Sequence, residues 1–68
     1  MDAKEIFDII IKADERLKYA TDANREMRKT QARGLLGEAL EAARGIGNEA
    51  LIGQAEQRLT DLGPEPED

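Results

Sequence analysis

The sequence predicts an all-α fold, either a helical hairpin or a three-helix arrangement with a long N-terminal helix, that assembles with another chain into an oligomeric helix bundle. Three observations predict it. Ala, Glu, Leu, Arg and Ile dominate, while Val and Trp are absent and other strand formers are scarce. No Gly or Pro interrupts residues 2–33. Ile6, Ile10, Ala13, Leu17, Ala20, Asn24, Met27 and Gln31 follow one another in steps of four and three, as the seam of a helix does.

The first helix is the most strongly signalled, over Lys4 to Tyr19. Phe7 and Ile9 widen its apolar stripe, and charged residues occupy the opposite side. Thr21 or Asp22 can serve as an N-cap for a new helix. Nothing in residues 21–24 forces a turn, however, so a helix continuous to about residue 44 is the favoured expectation. A second stripe follows in Leu35, Leu36, Ala39, Leu40, Ala43 and Ile46. Gly34 and Gly37 weaken this segment and mark either a kink or a close approach by another helix. Gly45 and Gly47 read as a helix stop, and Asn48 as the N-cap of a last helix reaching Leu62. The core positions of that helix are Leu51, Ile52, Ala55, Leu59 and Leu62. Gly63-Pro64 ends it, which leaves a single domain over residues 1–63 and an acidic disordered tail over 64–68. With Met1 in front and this tail behind, the chain is expected to be a complete small protein.

Within this frame, residues 32–63 resemble a tetratricopeptide-repeat junction. In that family a helix of the type A-L-x-x-A-R-x-x-G-N is followed by one of the type x-Q-A-x-x-x-L-x-x-L-G. The matching residues are Ala39, Leu40, Ala43, Arg44, Gly47 and Asn48, then Gln54, Ala55, Leu59, Leu62 and Gly63. The resemblance implies antiparallel helix pairing and protein binding.

Size points the same way. A chain of 68 residues builds one core, and a core of that scale supplies only ~3–5 kcal/mol. Without Cys there is no disulfide to staple it, and without Cys or His the usual zinc and haem ligands are missing. No metal or other cofactor is expected. Association is the remaining staple, and a homodimer is favoured. The stripe of Ile6, Phe7, Ile9, Ile10 and Ile11 is also wider than one neighbour needs. The predicted oligomer interface is therefore Ile6, Phe7, Ile9, Ile10, Ala13, Leu17, Ala20, Asn24 and Met27. Asn24 would fix register on that seam, or else act as a helix N-cap. Tyr19 is expected at a half-buried packing position, with an interface rim as the alternative.

Charge is unevenly distributed. Residues 12–33 carry seven basic against four acidic side chains, and residues 34–68 carry two against eight. The two halves are electrostatic complements. Arg25, Arg28, Lys29 and Arg33 form a possible contact for an anionic partner. Nucleic acid is disfavoured by the net charge of −5 and by the lack of aromatic residues among these cations. The carboxylates Glu38, Glu41, Glu49, Glu56 and Asp61 have no His to complete a dinuclear metal site. No apolar run approaches a membrane span, and no signal peptide precedes the first helix. The expectation is a cytoplasmic, non-enzymatic protein-interaction module: a homodimeric adaptor, regulator or accessory subunit with an unidentified protein partner. Its rivals are a nucleic-acid-associated regulator using residues 25–33 and an acidic, antitoxin-like inhibitor of a basic partner.

Overall fold

Asp2 begins the first helix, because its carboxylate accepts a hydrogen bond from the free backbone N–H of Glu5 at 2.8 Å. The computed structural model describes residues 1–63 and contains three helices: α1 (Ala3–Lys18), α2 (Arg25–Ile46) and α3 (Glu49–Leu62). No strand occurs among the described residues. The tail expected over 64–68 lies outside them.

The long N-terminal helix does not form. α1 stops at Lys18, and residues 19–24 turn the chain before α2 begins. Thr21 and Asn24 hold this turn together. The Thr21 N–H donates to Asn24 Oδ1 at 2.7 Å, and the Asn24 N–H donates to the Thr21 carbonyl at 3.2 Å. Short polar side chains compete in this way with helical backbone bonds. Burial favours the same outcome. One helix over residues 3–46 would be about 66 Å long and would leave both apolar stripes uncovered. The turn instead brings Ala32, Leu36, Ala39 and Ala43 of α2 into one core with Ile6, Ile10 and Ala13 of α1.

The second junction is tight and follows the sequence expectation. Gly47 adopts the left-handed conformation (φ 68°, ψ 29°) that other residues avoid. Its N–H donates to the Arg44 carbonyl, and the Asn48 N–H donates to the Ala43 carbonyl, at 3.1 and 3.0 Å. This is a Schellman closure of α2. Asn48 then caps α3 by accepting from the Leu51 N–H at 3.1 Å.

α2 spans about 33 Å, close to the longest dimension of the molecule, 37 Å, so the helices lie alongside one another. α2 is central and packs on both α1 and α3. α1 and α3 meet more lightly, fastened where Arg58 Nε donates to both oxygens of Asp14 at 2.9 and 3.1 Å. Arg44 and Glu56 tie α2 to α3 more loosely, at 3.8 Å. The core is small in side-chain volume. Of its nine buried residues five are Ala, and only Ile6, Ile10 and Leu36 are large and fully enclosed. Ile9, Leu17, Leu35, Leu40, Ile52, Leu59 and Leu62 pack around it, each partly open to solvent.

Candidate interaction surface

The helix break redistributes the predicted seam. Ile6, Ile10 and Ala13 are fully buried within the chain's own core, so in this fold they cannot touch a second molecule. α2 and α3 provide cover for this stripe, where an oligomer interface was the favoured expectation and cover by the chain's own helices the alternative. Ile9 and Leu17 are half-buried against the same core. Ala20 and Asn24 belong to the inter-helix turn, half-buried. Asn24 is thus not a seam residue. It stands at the N-cap position of α2, yet its side chain reaches back to Thr21 and caps no α2 amide. Phe7 and Met27 remain exposed, on different helices.

The large apolar side chains left outside are Met1, Phe7, Tyr19, Met27 and Ile46, from 41% exposed (Phe7) to 66% (Tyr19). Tyr19 is therefore not the half-buried packing residue expected of it. It caps the end of α1, with Lys18 Nζ 5.6 Å from its ring centre. Ile46 shares the spacing of Ala39 and Ala43, which made it look like a core residue. It lies in the last turn of α2, at the α2–α3 junction, and is 47% exposed.

The basic cluster is only partly available. Arg25 pairs with Asp22 at 2.8 Å. Arg28, Lys29 and Arg33 are each half-buried, and Arg28 Nε is enclosed with no hydrogen-bond partner among the described residues. Only Arg25 of the four is classed as exposed, and its charge is locally compensated. Among the described residues no three potential metal-ligating side chains come together, and no helix is long and apolar enough to cross a membrane.

A groove that the sequence did not single out lies between α1 and α2. Arg16 of α1 and Thr30, Gln31, Gly34, Leu35 and Glu38 of α2 line it, and its volume is about 380 Å³. It is open to solvent along its length, and Leu35 is its one large apolar side chain. Beside Leu35 its lining offers one cation, one carboxylate and two neutral polar groups. In comparisons with known proteins, no family model, no curated protein and no solved structure matches the chain.

Proposed function

We propose that the chain is a small protein–protein interaction module that works by binding, without catalysis, and that its first partner is a second copy of itself. The observation that carries this reading is the contrast between inside and outside. Five of nine core residues are Ala, while Phe7, Met27, Ile46, Tyr19 and Met1 stand in solvent. Alanine burial contributes little area, and full burial of a Leu, Ile, Phe or Met side chain is worth about 1.5–3 kcal/mol. These side chains are 41–66% exposed, so covering one completely adds roughly half of that amount, and covering several adds energy on the scale of the ~3–5 kcal/mol of the lone core. The helix-pair resemblance of residues 32–63 to a protein-binding repeat family supports the same class of function.

Light scattering coupled to size-exclusion chromatography tests the proposal on the full chain. The expected mass at micromolar concentration is twice the 7.5 kDa of the single chain. A well-folded monomer up to millimolar concentration would refute self-association.

A further inference from the structure

Resting on the self-association reading above, we infer that the α1–α2 groove is the contact face of a two-fold dimer, in which Arg16 of each copy pairs with Glu38 of the other. Gly34 is the first argument. Glycine weakens a helix, and a Cβ built at Gly34 would meet nothing within 4 Å. The other glycines are equally unobstructed, so the space alone names no site; what sets Gly34 apart is that it lines the groove beside Leu35, where a helix of another molecule would approach the α2 backbone closely. Leu35 beside it offers a half-buried apolar surface with the groove on its open side.

Charge placement identifies the occupant as a second copy. α1 and α2 run antiparallel around residues 19–24, so Arg16 lies close to the turn. Glu38 lies on the other helix, about 15 Å farther from the turn, with Gly34 between the two levels. The two charges thus line one groove at different levels. A two-fold axis lying in the plane between two such faces, at right angles to the line from Arg16 to Glu38 and level with its midpoint near Gly34, exchanges the two positions. It sets each Arg16 over the other copy's Glu38, and both pairs form at once, as an isologous interface requires. Neither residue has an ionic partner within 4 Å among the described residues. The same operation carries Met27, exposed near the turn on this side of α2, toward the end of the partner helix where Ile46 is exposed.

Charge exchange between copies is the test. Arg16→Glu and Glu38→Arg are made separately and together in the full chain, with helicity checked by circular dichroism, and dimerisation is measured by sedimentation equilibrium. Each single variant places like charges together twice, so each should dimerise at least tenfold more weakly than the natural chain. Mixed in equal amounts, the two single variants should form a heterodimer, because both of its pairs are again opposite in sign. The double variant should dimerise like the natural chain. Gly34→Gln favours the helix but fills the groove, so it should keep or raise helicity while weakening dimerisation at least tenfold. A natural dimer whose single variants associate as tightly as it does would overturn this face and leave self-association standing. Rescue in the double variant without heterodimer formation in the mixture would show a pairing within one chain and would also overturn it. A natural chain that is monomeric throughout would overturn both readings.

Discussion

At the scale of single residues, Asn24 and Gly47 decide where the chain turns. Asn24 Oδ1 takes the Thr21 N–H at 2.7 Å in an exposed turn, a bond worth about 0.5–1 kcal/mol. Asn24→Leu should therefore lower the urea midpoint, although the same substitution on an apolar seam would raise it. Gly47 is held at φ 68°, where a side chain is strained. Gly47→Ala should cost about 1–2 kcal/mol. Gly53, in contrast, sits in exposed α3 with open space at its Cβ position, so Gly53→Ala should stabilise by up to about 1 kcal/mol. Opposite signs in the thermal midpoints of these two variants are the check. The difference between the two junctions explains what could be read from the sequence. Gly47-Asn48 combines a left-handed stop with a cap, and each is a local property of its residue type. The stretch Thr21 to Asn24 offers cap-forming side chains but no glycine stop before them. Its turn depends on a side chain bonding three residues back, and on burial that only the whole chain can provide.

At the scale of helices, α2 is the element on which the others depend. Ala32, Leu36, Ala39 and Ala43 repeat in steps of four, three and four, and these small side chains let α1 come close over them. Leu36 is the one large, fully buried residue of the row, and Leu36→Ala should destabilise by about 2–5 kcal/mol, enough to unfold much of a core this small. The α1–α3 tie is of a different kind. Arg58 and Asp14 are partly exposed at their side chains, so a double-mutant cycle should give a coupling of only about 0.2–1 kcal/mol, smaller at high salt. The apolar stripes of α1 and α2 were legible in the sequence as periods of about 3.6 residues. Their mutual burial was not, because two stripes on one continuous helix and two stripes facing across a turn have the same spacing. That ambiguity is why Ile6, Ile10 and Ala13 read as an intermolecular seam when they are in fact the inner face of a hairpin.

At the scale of the molecule, three helices form a flattened body of 37 by 23 by 15 Å around an alanine-rich core. A body this thin has a large surface for its interior, and its remaining apolar groups are distributed over that surface. The α1–α2 groove was not legible in the sequence, since Arg16 and Glu38 come to one face only through the turn at residues 19–24. On the proposed function, a second copy supplies part of the stability that this core lacks. Thermal unfolding of the full chain over a thousandfold range of concentration tests it most directly, because association with the folded state alone raises the midpoint with concentration. The midpoint should climb steadily across the range. A midpoint independent of concentration, with a single cooperative transition, would contradict it.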